Sequence, residues 1–324
     1  MSPLDELVSA VLRSPKYRWL CPATVRRLGE RELAKGRGLK AAVKATKSRL
    51  HQIFGAFDRA PDYDRLLAEL EAARKPGSGD AFREACRSTL ACHASTRERL
   101  PILDRFYAEI FAVTGRPNRV LDLACGLHPL GLPWMGLPPD VAYTALDIDG
   151  RAVKFLNLFF GVATSGSLVD QVPSRRFHPF PPEGFTPSGG YSEDSSAYPP
   201  EGVRPSGGRT AGETAAPRAA APEIHARAVL QDILCQPPDD PADVAFLLKT
   251  LPCLERQEKG SSRRLLEALR ARHIVVSFPV ASLGGRGKGM RENYERGFAE
   301  MAKDGPWQIE RLTFPTELVF VVKQ

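Results

Sequence analysis

The 324-residue sequence has six cysteines without a single CxxC pair and only six histidines, all dispersed. A disulfide framework and a zinc knuckle are therefore both disfavoured. The only close Cys–His arrangement, Cys92-His93, puts neighbours where one metal ion can hardly use both, so no metal is expected. No apolar run approaches the roughly 18 residues that span a bilayer, which argues against a membrane protein. The N-terminus carries Asp5 and Glu6 before any base and lacks the basic start and long apolar run of a secretory signal, so the expected location is cytoplasmic, with reduced thiols. Also missing are the GxGxxG spacing of a dinucleotide site and the GKS/T of a phosphate-cradling loop, which disfavours NAD and ATP.

What is present is positive charge. The net charge is +7, and residues 1–60 hold thirteen Lys/Arg against five Asp/Glu, a local excess larger than that of the whole chain. An anionic, phosphate-rich partner is the first expectation. Leu39, Val43, Leu50, Ile53, Phe54 and Phe57 recur at helical spacing, and Lys40, Lys44, Lys47 and Arg49 fall mostly off that stripe. Such a face is either simply solvated or a footprint for a nucleic-acid backbone.

Helical patterns occupy the first third: Ser2 caps one, Cys21-Pro22 opens another, and further ones cover Asp62–Arg74, Asp80–Leu90 and Thr96–Thr114. Short apolar runs then alternate with helices: Arg119–Leu123, Val141–Asp147, Val244–Leu248 and His273–Phe278, with Arg151–Phe160 and Ser261–Ala271 between them. This is βαβ alternation, predicting a mostly parallel sheet covered on both faces. Trp307–Phe314 and Glu317–Val322, separated by Pro315, predict an antiparallel hairpin at one edge. Ten prolines and eight glycines among the 57 residues of 166–222 mark a disordered surface insertion. The expected division is a basic helical domain over 1–115 and an α/β domain over 116–324.

The first strand runs into Ala124-Cys-Gly-Leu-His-Pro129, a small-residue turn at the carboxyl end of the sheet, where open α/β folds bind cofactors. The second strand ends in Asp147-Ile-Asp149, with a carboxylate where a ribose diol would sit; an acid there also serves as a helix N-cap. Together these pieces suit S-adenosylmethionine. Gly284-Gly-Arg-Gly-Lys-Gly289 is either a flexible turn or a loop whose Arg286 and Lys288 approach RNA. Tyr294, in the helix that follows, is read as core in preference to a stacking platform for a flipped base.

Four stretches, His93-Ala-Ser-Thr-Arg-Glu-Arg-Leu100, Val120-Leu-Asp-Leu-Ala-Cys-Gly-Leu-His-Pro129, Leu247-Leu-Lys-Thr-Leu-Pro-Cys-Leu-Glu255 and Ser277–Met290, resemble the aminoglycoside-resistance 16S rRNA methyltransferases that modify a decoding-site guanine at N7. Leu50-His-Gln-Ile-Phe-Gly-Ala56 extends the resemblance into the basic region, leaving out only the insertion. It implies a class I S-adenosylmethionine-dependent methyltransferase, Rossmann-like and mostly parallel with an antiparallel C-terminal strand, behind an all-helical N-terminal domain. It further implies that Arg99 pairs with the cofactor carboxylate, that Ala124 and Gly126 form the cofactor turn, and that Asp147 binds the ribose. Asp232, beside Gln231, is similar to the acid that holds the adenine amino group, and Lys249 and Glu255 match active-site positions. The implied substrate is 16S rRNA in the assembled 30S subunit, met through the basic residues; oligomeric state is unmarked in the sequence, and a monomer is the default for an enzyme that docks on a large RNA surface.

Guanine N7 has a lone pair and no proton, so attack on the sulfonium methyl needs positioning and electrostatics without a general base. Glu255 could favour the cationic product, and Lys249 could contact phosphate or base, or simply snorkel to water from the sheet end. Two rivals stand beside this reading. Leu251-Pro-Cys253 resembles the Pro-Cys nucleophile of cytosine-5 methyltransferases, and a non-catalytic ribosome-binding protein would keep only the basic domain.

Overall fold

The computed structural model describes residues 1–54, 61–74, 79–138, 140–164, 225–280 and 289–324. The expected insertion at 166–222 and the cations Arg286 and Lys288 lie outside the described residues.

The chain opens with α1 (Pro3–Leu12), α2 (Pro22–Leu33) and α3 (Leu39–Phe54). Ser2 and Asp5 form a reciprocal capping box at the start of α1, and Pro22 sits in the first turn of α2, where a missing N–H costs nothing. Leu7, Val11, Val25, Leu28, Ala42 and Leu50 bury against one another in a small core of their own. Gly29 lets α1 approach, since a Cβ there would lie 2.4 Å from the Leu7 side chain.

Four further helices follow: α4 (Tyr63–Ala73), α5 (Gly79–Leu90), the single turn α6 (Ala94–Arg97) and α7 (Leu103–Thr114). The helix expected over Thr96–Thr114 is interrupted. A 3₁₀ turn at Leu100–Ile102 carries Pro101, which cannot donate within a helix interior and restarts it at Leu103.

Seven strands form one sheet: β1 (Arg119–Leu123), β2 (Ala142–Asp147), β3 (His225–Leu230), β4 (Ala242–Leu248), β5 (Ala271–Pro279), β6 (Gln308–Thr313) and β7 (Glu317–Lys323). Their order is β3-β2-β1-β4-β5-β7-β6. The first five are parallel, and β7 runs antiparallel to both β5 and β6. Helices α8 (Leu132–Met135), α9 (Gly150–Thr164), α10 (Leu251–Gln257), α11 (Ser261–Ala268) and α12 (Met290–Ala302) complete the fold.

Each sheet face has a core. On one, Val120, Tyr143, Phe246 and Val275 pack with Leu66, Leu70, Phe106, Ile110 and Phe155 from α4, α7 and α9. On the other, Leu121, Ala245, Ile274 and Leu318 pack with Leu254, Leu265 and Phe298 from α10, α11 and α12. Residues 63–114 thus share the sheet's core, and the break between cores falls near residue 60, well before the expected boundary at 115. Tyr294 packs on Phe278 with ring centroids 4.9 Å apart, as a core residue would.

Candidate cofactor and active site

The strand order reverses between β1 and β4, and the crevice at such a switch point is where open α/β sheets bind ligands. Here it is a cavity of about 200 Å³, walled by the ends of β1, β2, β3 and β4 and by Arg27 and Ile53 of the helical unit.

The turn after β1 takes two left-handed residues, Ala124 at φ 50° and Gly126 at φ 53°. A Cβ at Gly126 would make only ordinary contact with the His93 ring at 3.6 Å, so conformation is what favours glycine there. The turn directs the Gly126 amide onto Asp147 Oδ2 at 2.9 Å, while Asp147 Oδ1 accepts from the Asp149 amide at 2.9 Å. Burial, with help from the Asp149 charge, pushes the Asp147 carboxyl up to about 6 despite these donors. Asp149 in turn receives the Arg151 backbone N–H and guanidinium.

The β3 end supplies Gln231 and Asp232 to the same cavity. Asp232 is buried, caps the Leu234 amide through Oδ1 at 2.9 Å, and accepts Nε and Nη2 of Arg27 on Oδ2 at 3.1 and 2.9 Å. Cys253 and Leu254 line the far wall, with Ile148, Ile233 and Leu234 giving it an apolar lining.

A second group of ions lies below the turn. Glu317, fully buried at the start of β7, receives Arg99 Nη2 at 3.0 Å, with Arg99 Nε 2.9 Å from its other oxygen. Lys249 Nζ stands 3.2 Å from Glu317, donates to Glu98 at 2.7 Å and to the Ser95 carbonyl at 2.9 Å. Burial opposes ionisation of Glu317, but Arg99 and Lys249 outweigh it and hold the carboxyl below its ordinary value. Lys249 adopts φ 58°, and its side chain is only 7% exposed, so it does not snorkel to water. His93, on the cavity wall, is lowered to about 4 by burial and by the Lys249 and Arg97 charges, so its ring is neutral at pH 7. Arg99 lines a small annex of the cavity that also touches Ala124, Gly126 and His128.

Of the residues singled out in the sequence, Ala124, Gly126, Asp147, Gln231, Asp232 and Lys249 meet in one cavity, with Arg99 in its annex. Glu255 is placed differently. Its two oxygens accept the Gly260 and Ser262 amides at 2.8 Å each, capping the start of α11, and it does not line the cavity. That local use explains an acid at this position without any catalytic duty. Lys40, Lys44 and Arg49 are exposed on α3, and Lys47 is half-buried. Arg27 and Glu317 were not singled out by sequence; both act on partners more than 200 residues away. No group of three or more His, Cys, Asp or Glu residues able to hold a metal occurs among the described residues.

S-adenosylmethionine suits this donor set. Its net positive charge would suit a cavity with three acids, Asp147, Asp149 and Asp232, and its nucleoside would find carboxylate acceptors beside apolar Ile148 and Ile233. Sheet order, glycine turn and strand-end acids together define a class I S-adenosylmethionine-dependent methyltransferase. The family described as Ribosomal RNA methyltransferase (FmrO) matches residues 13–174 and 218–321, and this chain belongs to it.

A 16S rRNA (guanine(1405)-N(7))-methyltransferase of Micromonospora rosea is 37% identical, covering 98% of this chain and 96% of its own length. One from Micromonospora echinospora is 36% identical, covering 99% and 97%. Among solved structures, the 16S rRNA methyltransferase RmtF in complex with S-adenosyl-L-homocysteine superposes with a TM-score of 0.69 at 30% identity, covering 100% of this chain and 99% of that one.

Proposed function

We propose that this protein methylates N7 of a decoding-site guanine of 16S rRNA, using S-adenosylmethionine, within the assembled 30S subunit. Full-length similarity to two 16S rRNA (guanine(1405)-N(7))-methyltransferases, together with the acid-lined cavity at the switch point, carries this reading. Bound in that cavity, S-adenosylmethionine supplies an electrophilic methyl group.

The residues around it divide the remaining work. Asp147 accepts from the ribose, and Asp232 from the adenine amino group. Arg99, steadied by Glu317, meets the carboxylate of the amino-acid portion. Lys249, fixed by Glu98 and Glu317, brings positive charge toward the cavity, where an RNA phosphate or base edge approaches. N7 attack releases no proton, so neutral His93 and the engaged Lys249 have no proton to remove, and the target base only needs to leave its stack and be held.

Docking falls to the basic helical unit. Exposed Lys40, Lys44 and Arg49 face phosphates, and a second cleft of about 820 Å³, carrying Arg31, Lys35, Arg49 and Arg256, meets the cofactor cavity at Ile53, Cys253 and Gln257. Folded RNA is recognised there by shape and backbone charge. The protein acts as a cytoplasmic monomer, and the added methyl and positive charge in the drug site give resistance to 4,6-disubstituted deoxystreptamine aminoglycosides.

The test is transfer of labelled methyl from S-adenosylmethionine to purified 30S subunits by the wild type and by Cys253→Ser. Label incorporation by both supports N7 transfer. Loss of transfer in Cys253→Ser alone returns the cytosine-5 reading, and 30S binding without label returns the non-catalytic one.

A further inference from the structure

The helical unit builds one wall of the cofactor cavity. Arg27, on the inward face of α2, has a side chain only 12% exposed, and it spends Nε and Nη2 on Asp232 Oδ2. Nη2 also reaches Gln257 Oε1 at 2.9 Å, which ties the pair to α10. Each carboxylate oxygen accepts about two hydrogen bonds. Arg27 therefore fills Oδ2, while Oδ1, with the Leu234 amide on it and the weakly donating Cys235 thiol beside the carboxylate, is the oxygen that keeps capacity for a ligand. The same unit also grips the other acid-bearing turn. The Cys21 amide donates to the Ile148 carbonyl at 2.9 Å, and the Gly150 amide to the Trp19 carbonyl at 2.8 Å, on either side of Asp149.

We infer that Arg27 is a positioning residue for the cofactor: from the RNA-docking unit, it fixes the rotamer and remaining acceptor of Asp232. This rests on the reading of Asp232 as the acid that meets the adenine. An arginine fork holds a carboxylate in two dimensions where a lysine would hold it at a point. Without Arg27, Asp232 keeps only the Leu234 amide and the weak Cys235 thiol as donors in a buried site and loses its fixed orientation. Cofactor affinity is then set partly by α2, and by reciprocity a bound cofactor alters how firmly the helical unit grips the sheet domain.

The experiment is calorimetric titration of S-adenosylmethionine and S-adenosylhomocysteine into the full-length protein without RNA, for wild type, Arg27→Met, Arg27→Lys, Asp232→Asn and the Arg27→Met/Asp232→Asn pair. Arg27→Met should weaken both ligands alike, on the order of tenfold. Arg27→Lys should recover part of that loss, and the double variant should bind no worse than Asp232→Asn alone. Arg27→Met binding within about twofold of wild type, or losses that add in the double variant, would overturn the inference. Should Arg27→Met not fold, Arg27→Lys carries the comparison: a weakening that disappears in the Asp232→Asn background supports the inference, and unchanged affinity overturns it. If wild type binds neither ligand, or Asp232→Asn binds both normally, the reading of the cavity falls and takes the inference with it.

Discussion

Replacing Glu317 by alanine removes the anion that two buried cations share. Arg99 is 3% exposed and among the described residues forms a salt bridge only with Glu317, whereas Lys249 retains Glu98, so Arg99 bears most of the damage. Removing one partner of a buried pair costs about 3–5 kcal/mol, against roughly 0–1 kcal/mol for a surface pair. At about 2–4 °C per kcal/mol for a domain this size, the thermal midpoint should fall by about 10 °C. The assay is thermal and denaturant unfolding read by circular dichroism, with both midpoints displaced and the denaturant slope unchanged. Glu317→Gln should fall between alanine and wild type. Arg99→Met/Glu317→Leu, which replaces the pair by apolar groups, should regain much of the stability while cofactor binding stays weak. Because the Glu317 carboxyl lies below its ordinary value, its contribution is present above the unfolded glutamate range and is lost as the pH falls toward the folded value. The stability gap between wild type and Glu317→Ala should therefore close in acid. A cost under about 1 kcal/mol at pH 7 would refute the picture of one carboxylate organising both cations.

Three further residues carry predictions from local geometry. With Asp147 raised to about 6, its charged form is lost below that pH, so S-adenosylmethionine affinity should drop roughly tenfold per pH unit below it, and calorimetry of Asp147→Asn should show no such dependence. In the ligand-free protein the sign is opposite: a raised carboxyl adds stability below the unfolded aspartate value, and that stability is lost as the pH rises through about 6. Lys249 is left-handed, so Lys249→Gly should be more stable than Lys249→Ala by about 1 kcal/mol in urea unfolding. Glu255→Ala removes the acceptor for two amides at the head of α11 and should cost about 1 kcal/mol, measured in the same way.

Much of this was legible in the chain. Strand alternation located β1, β2, β4, β5 and the terminal hairpin within a few residues, because short buried strands and their following helices carry strong periodic signals. The turn at Ala124–Gly126 and the acid at Asp147 could be read as a unit because they occupy adjacent strand ends in a parallel sheet. The boundary near residue 60 was not legible. Helices α4, α5 and α7 show apolar faces such as Leu66, Leu70, Phe106 and Ile110, and sequence does not say whether those faces meet each other or a sheet. Arg27 looked like one cation among many, since its role depends on Asp232, 205 residues away. Glu317 did leave a signal: an acid opening the otherwise apolar run Leu318–Val322, at a position that points into the core. Glu255 shows the converse, where a residue in a conspicuous motif answers a local need for backbone acceptors.

The central claim is the atom methylated. Purified protein, labelled S-adenosylmethionine and 30S subunits, followed by borohydride–aniline treatment, tests it directly, because that chemistry cleaves RNA at N7-methylguanosine. A single labelled site with strand cleavage at one guanine of the decoding-site helix is the predicted result. Label without cleavage, or cleavage elsewhere in 16S rRNA, would contradict it.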